Sequence, residues 1–332
     1  MAAVADQIRD ERTARIMLSM IADPDDAMTG AVVYQVGGVE TLRLLESDLR
    51  VPTLGETETQ VWRSRLTPHL NLGVLATADA YQQRGLTTLI YSDEHWPRSL
   101  ADLGPRQPYL LWTKGATSLL SGSLADRVTI TGSRAATRYG EHVTGALAAD
   151  LSDEDRVIVA GGAYGIEGAA HRGALAAGGH TVAVLATGID QRYPSGNVTM
   201  LNTIGDVGLL VTELPPATPP KRPFFLARHR VMAALSGASV VVEAAHRSGA
   251  RNIANEASAL GRRVGAVPGP VTSAASYGPN DMLRQGTASL VAHANDVLRL
   301  LDDQTVPVSR PATAMDLAPT SRRSEPPPVP RL

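Results

Sequence analysis

The chain has 332 residues, a formal net charge of −2 and no cysteine. That length suits about two domains with a sizeable core. The missing thiols exclude disulfides, thiolate catalysis and cysteine-type zinc sites, and the near-neutral charge excludes a globally basic nucleic-acid binder. Any site for a polyanion must therefore be a local concentration of charge.

The N-terminal stretch is charged and has no apolar signal core, and no segment approaches the roughly 18 apolar residues of a membrane span. With the absence of cysteine this places the protein in the cytoplasm. Residues 8–75 carry apolar positions at helical spacing, in Arg15–Ile21 and again in Val39–Leu45, with Tyr34–Gly38 read as a turn between them. This predicts a small helical domain over 1–75, of helix-hairpin-helix or SAM-like type, and a bare helical bundle fits the same pattern. Residues 76–126 read as a connecting segment on the core, with a strand at Leu86–Tyr91.

From residue 127 short apolar runs alternate with alanine-rich helical stretches. The runs are Val128–Thr131, Val157–Ala160, Thr181–Leu185, Gly208–Val211, Val240–Glu243 and Val264–Val267. Near-continuous apolar strands separated by helices indicate a parallel sheet covered on both faces. The fold class is therefore α/β, a Rossmann-like, doubly wound, mostly parallel sheet over 127–302. Ligands on such sheets bind at the C-terminal ends of the strands. Thr305 to Leu332 holds seven prolines and four arginines. With so little apolar content, 303–332 is predicted to be a disordered tail.

The strand-end loops carry the chemistry. Gly132-Ser133-Arg134 opens a helix, where backbone amides, a hydroxyl and a guanidinium suit an anion. The same residues suit a plain glycine turn with a solvated arginine, and alone they do not separate the two. The next loop, Gly161-Gly162-Ala163-Tyr164-Gly165, is glycine-rich without the dinucleotide spacing. No G-x-x-x-x-G-K-[ST] occurs either, which disfavours a P-loop nucleotidase. His171, one turn on, reads as a packing residue. Gly188 permits close backbone approach in the third loop.

Pro219 to Arg230 holds Lys221, Arg222, Arg228 and Arg230 around Phe224 and Phe225, the chain's only phenylalanines, and no acid occurs between Leu214 and Val242. Cations interleaved with rings suit single-stranded nucleic acid, which offers phosphates and unpaired bases. One of the two rings also suits the core. Ser248-Gly249 forms another anion-ready turn, and the loops at Pro268–Pro270 and Ser276–Asn280 complete a rim.

In this order the loops resemble the DprA (Smf) family of DNA-processing proteins. The carrying motifs are Gly132-Ser133-Arg134 with Tyr139-Gly140, Gly161-Gly162 with Gly165-Ile166 and Ala170-His171, Gly188 with Tyr193-Pro194 and Asn197, Glu213, Phe225 with Arg228-His229-Arg230, Glu243 with Ser248-Gly249, and Pro268-Gly269 with Gly278 and Asn280. The resemblance runs from about Leu86 to Leu301. It implies a DNA chaperone rather than an enzyme: a homodimer that binds and protects single-stranded DNA and helps load the recombinase RecA in natural transformation, with no cofactor and no metal. It implies DNA contacts at Gly132, Ser133, Arg134, Gly162, Gly188, Lys221, Phe224, Phe225, Arg228, Arg230, Ser248, Gly249 and Asn280, with Arg134 on phosphate and a phenylalanine on a base. The chain departs from the family pattern at His229, where asparagine is usual, across Ala250-Arg251-Asn252-Ile253, and in having no winged-helix segment after the sheet. Two other classes remain. One is a nucleotide hydrolase or sensor on the same scaffold, using Glu256. The other is an interaction module built on the tail and the helical domain.

Overall fold

A computed structural model describes residues 4–8, 10–246 and 248–302. The predicted tail at 303–332 lies outside the described residues.

Four helices come first: α1 (Glu11–Ile21), α2 (Ala27–Glu46), α3 (Glu56–Leu66) and α4 (Leu72–Gln83). Each of three starts is capped by its own sequence, since Asp10, Asp26 and Asn71 accept backbone N–H bonds from the first turns. The turn expected at 34–38 is a break inside α2. Gly37 takes φ 79°, and helix resumes at once. The Glu11 carboxylate caps the restarted half, accepting the Gly38 amide at 2.8 Å and the Val39 amide at 3.3 Å.

The sheet has nine strands in the order β1-β2-β6-β5-β4-β3-β7-β8-β9. They are β1 (Thr87–Leu89), β2 (Leu111–Gly115), β3 (Arg127–Thr131), β4 (Val157–Ala160), β5 (Thr181–Val184), β6 (Leu209–Thr212), β7 (Ala238–Val241), β8 (Arg263–Ala266) and β9 (Ser289–Leu290). All pairs from β6 to β9 are parallel, and β1 and β2 close one edge antiparallel. The central strands are buried on both faces, which is why they read as unbroken apolar runs. Successive residues still divide between the faces. Ile158 and Ala160 join the core under α5 (Arg138–Asp153) and α6 (Ile166–Ala176), while Val159 between them joins the core under α8 (Arg222–Leu235). The N-terminal helices share one continuous core with Trp112, Ala183 and Leu210 of the sheet. The remaining helices are α7 (Val198–Val207), α9 (Ala250–Ala259), α10 (Tyr277–Arg284) and α11 (Ala294–Asp302). Among the described residues no helix is long and apolar enough to cross a membrane.

His171 is fully buried and bonds Thr181 Oγ1 through Nδ1 at 2.7 Å. Burial lowers its imidazole to about 4. In the unfolded chain a histidine titrates near ~6.5. Between those values the unfolded chain holds a proton that the folded chain does not, so stability is complete above the unfolded value and falls as pH drops toward the folded one. Urea titrations between about pH 7 and pH 5 should show roughly 1–2 kcal/mol of stability lost to this residue. A midpoint flat across that window would contradict it.

Candidate nucleic-acid interface

Three strand-end loops and the first turns of α8 and α9 build one cleft of about 960 Å³ at the C-terminal edge of the parallel strands. Its first wall is the loop from Gly132 to Thr137, which is shaped by Glu243. The buried Glu243 carboxylate accepts the Thr137 amide at 2.9 Å and the Thr137 hydroxyl at 2.6 Å, and its carbonyl accepts the Ser133 amide at 2.7 Å. Among the described residues no acceptor takes the amides of Arg134, Ala135 or Ala136. Three consecutive unclaimed N–H groups ahead of a helix suit an anion.

The glycines of these loops serve loop packing. Gly165, at φ 70°, lies so close to the first loop that a Cβ would stand 2.3 Å from the Ser133 carbonyl oxygen. A Cβ on Gly161 would stand 2.2 Å from the Arg228 guanidinium carbon. Gly132 is likewise packed against Ile166 and the Glu243 carbonyl.

The second wall is α8. Pro223 sits in its first turn, where a fixed φ and a missing N–H cost nothing. Arg222, Leu226 and His229 follow at i, i+4 and i+7 and face the cleft together. Phe225 is half-buried. The Arg134 guanidinium lies 4.9 Å from the centre of its ring, Arg228 lies at 5.5 Å, and Tyr193 meets it edge-on at 5.9 Å. Arg228 runs beneath, bonding the Gly161 carbonyl at 2.6 Å and the buried Glu167 carboxylate at 3.3 Å. Burial pushes the Glu167 carboxyl up, but Arg228, the Ala163 amide and the Thr131 hydroxyl outweigh it and hold it below the ordinary value.

Four arginines line the cleft, Arg134, Arg222, Arg228 and Arg251, against one carboxylate, Glu167, an excess of three positive charges. Arg228 is bound to Glu167, and Arg251 to Asp281 at 3.1 Å. Arg134 and Arg222 are exposed and have no acidic partner among the described residues.

The structure brings seven of the thirteen expected residues to this cleft: Gly132, Ser133, Arg134, Phe225, Arg228, Ser248 and Gly249. The other six sit elsewhere. Gly162 packs on Leu201, and Gly188 on the Pro215 carbonyl. Lys221 is exposed at the start of α8 over the Phe224 ring, and Phe224 is core, with Ala186 and Leu214. Arg230 is buried between Glu213, at 2.6 Å, and Asp25, at 3.2 Å. Asn280 makes two bonds to the Gly269 backbone. Glu256 faces an adjoining groove, bound to Arg106 at 2.9 Å, and does not line the cleft.

Arg222, His229, Asn252 and Asn255 also line the cleft and are not among the expected contacts. Arg222 stands in the cationic run. In the sequence His229 and Asn252 are visible only as departures from the family pattern, and the fold places both in one cleft.

The sequence profile described as DNA recombination-mediator protein A matches residues 87–302. A Mycobacterium tuberculosis relative named for DprA is 40% identical over 321 residues, covering 92% of this chain and 80% of its own. The structure of DNA processing protein A from Streptococcus pneumoniae superposes with a TM-score of 0.67 at 27% identity, covering 88% of this chain and 98% of that one. DNA processing protein A from Helicobacter pylori, described for its mode of binding single-stranded DNA, superposes with a TM-score of 0.59 at 28% identity, covering 66% of this chain and 96% of that one. On the profile match and the extent of these relatives, the chain belongs to the DNA recombination-mediator protein A (DprA, or Smf) family.

Proposed function

We propose that this protein binds single-stranded DNA in the cleft between the Gly132–Thr137 loop, α8 and α9. One observation carries the reading: Arg134, exposed and without an acidic partner among the described residues, stacks on the half-buried ring of Phe225. A single strand offers a phosphate for the first and an unpaired base for the second, whereas a duplex hides its base faces. The unclaimed amides of the loop and Arg222 add to the phosphate site. The relative from H. pylori, described as binding single-stranded DNA, supports the same reading.

The wider reading is that the protein protects incoming single strands in the cytoplasm and promotes loading of RecA, acting as a homodimer, in transformation or another recombination route. Family membership supports this part, and the protein's role in it is binding, not turnover.

Fluorescence anisotropy with matched single- and double-stranded oligonucleotides across a salt series tests the reading. Single strands should bind more tightly, with log K falling linearly in log salt. Arg134→Ala should reduce the steepness of that fall by about 0.7 for each phosphate it leaves unneutralised. Equal affinity for both strand forms, or a slope that ignores Arg134, would overturn it. RecA filament assembly on the oligonucleotide should rise with the protein present and lose that rise in Arg134→Ala.

A further inference from the structure

The cleft does not end at Phe225. Leu226, His229, Asn252 and Asn255 line it, and the same four line a second groove of about 690 Å³ that continues between α8 and α9 toward Asp25 and Arg106. Charge changes along this path. In the second groove the lining guanidinium, Arg106, is held by Asp25 at 2.8 Å and by Glu256 at 2.9 Å. Two carboxylates on one arginine leave no place for a phosphate.

The junction between the two regions is polar and uncharged. Asn252 and Asn255 are exposed and share one face of α9 at i, i+3, and neither side-chain amide bonds another of the described residues. His229 meets them from α8, its ring 3.5 Å from where a Cβ on Gly249 would stand. The residue is more than nine-tenths buried, its Nδ1 is fully covered, and neither Nδ1 nor Nε2 has a hydrogen-bond partner among the described residues. Burial, and then Arg228, lower the imidazole to about 4, so at neutral pH it carries one donor and one acceptor. Leu226, one turn before His229, is half exposed and gives the junction an apolar side.

A phosphate needs charge or N–H donors alone. Two amides, each offering donor and acceptor together, beside one ring nitrogen of a neutral imidazole match the edge of a nucleobase, and an asparagine amide pairs bidentately with adenine. We propose that His229, Asn252 and Asn255 form a base-reading subsite that gives this protein a preference for adenine at one position of the bound strand. The inference rests on the single-stranded DNA reading above and deepens it.

The test uses the full chain and thymidine oligomers of about eight nucleotides, within the length one binding domain covers. A single adenine is placed at each position in turn. One position should bind about tenfold more tightly than the all-thymidine strand. In an Asn252→Ala/Asn255→Ala double variant the ratio should fall to about one, while the salt slope, which counts phosphates, matches the wild type. His229→Leu should lower the ratio in part. These asparagines are exposed and their amides hold no part of the fold together, so folding does not confound the variant. Wild-type protein that binds every oligomer equally, or a double variant that keeps the preference, overturns the subsite. In both of those cases binding that still depends on Arg134 and on salt leaves the DNA reading standing. Wild-type protein that binds no oligomer overturns both.

Discussion

Glu167→Gln should cost about 3–5 kcal/mol of folding stability, read as the shift of a denaturant midpoint at unchanged slope. Glu167 and Arg228 are both buried and meet beneath the cleft. Glutamine preserves the volume but removes the one counter-charge, leaving a guanidinium in a medium that cannot solvate it. Arginine does not escape by losing its proton at any pH the fold survives. The amide also has one acceptor fewer. One carboxylate oxygen takes the Thr131 hydroxyl at 3.1 Å and the other takes the Ala163 amide at 3.2 Å, and the single oxygen of glutamine can accept only one of these two bonds. Adding Arg228→Met to Glu167→Gln should restore part of the loss, because it removes the stranded charge. Restoration is incomplete, since the Gly161 carbonyl loses its 2.6 Å partner. A single variant within about 1 kcal/mol of wild type would show that the pair does not clamp the floor of the cleft. The pH sense differs from that of His171. Glu167 is held below the ordinary carboxylate value, so its contribution is complete above that ordinary value and is lost only as pH falls through the lowered one. The acid limb due to Glu167 therefore lies below the histidine window.

The same pair shows where sequence reasoning stops. The run from Leu214 to Val242 has no acid, so the three arginines of its basic cluster read as free for phosphate. Two of the three are not. Arg228 is answered by Glu167, 61 residues away, and Arg230 by Glu213, 17 residues away, with Asp25 beside it. Local composition cannot show a counter-charge that tertiary contact delivers. The glycines of the loops are legible as special, but the neighbours they admit are not: Gly132 and Gly165 make room for neighbouring backbone and Gly161 for the Arg228 side chain.

The parallel sheet is legible because strands buried on both faces must be apolar throughout. Strand β2 is not legible as a strand. Its Leu111–Gly115 segment takes only the last two residues of the apolar run Tyr109–Trp112 and continues through Thr113 and Lys114, so neither a full apolar run nor alternation marks it, and pairing with β6 makes it a strand. Two-residue β9 is too short to leave a period. The divergence of the two phenylalanines follows from helix geometry. Neighbours in sequence stand about 100° apart around α8, so Phe224 enters the core and Phe225 reaches the cleft.

That position makes Phe225→Ala the substitution with the largest expected effect on binding. Stacking of one base on an aromatic side chain contributes about 1–3 kcal/mol, so affinity for a single strand should fall roughly 5- to 150-fold. Phe225→Leu is the informative companion. It keeps the bulk against Tyr193 and the Arg228 guanidinium and removes the ring face, so it should bind nearly as poorly as alanine with less effect on the melting temperature. Arg134 is coupled to the ring. Its guanidinium covers Phe225 at 4.9 Å and has no other partner among the described residues. A base that takes the ring frees that arginine for the adjacent phosphate, so the two contacts form together. The Arg134→Ala/Phe225→Ala double variant should therefore lose less than the sum of the two single losses, by about 0.5–1 kcal/mol in a double-mutant cycle. Strict additivity would mean that ring and guanidinium meet separate parts of the strand. If Phe225→Leu bound as tightly as wild type, the ring would be packing alone and the base site would lie elsewhere on the cleft.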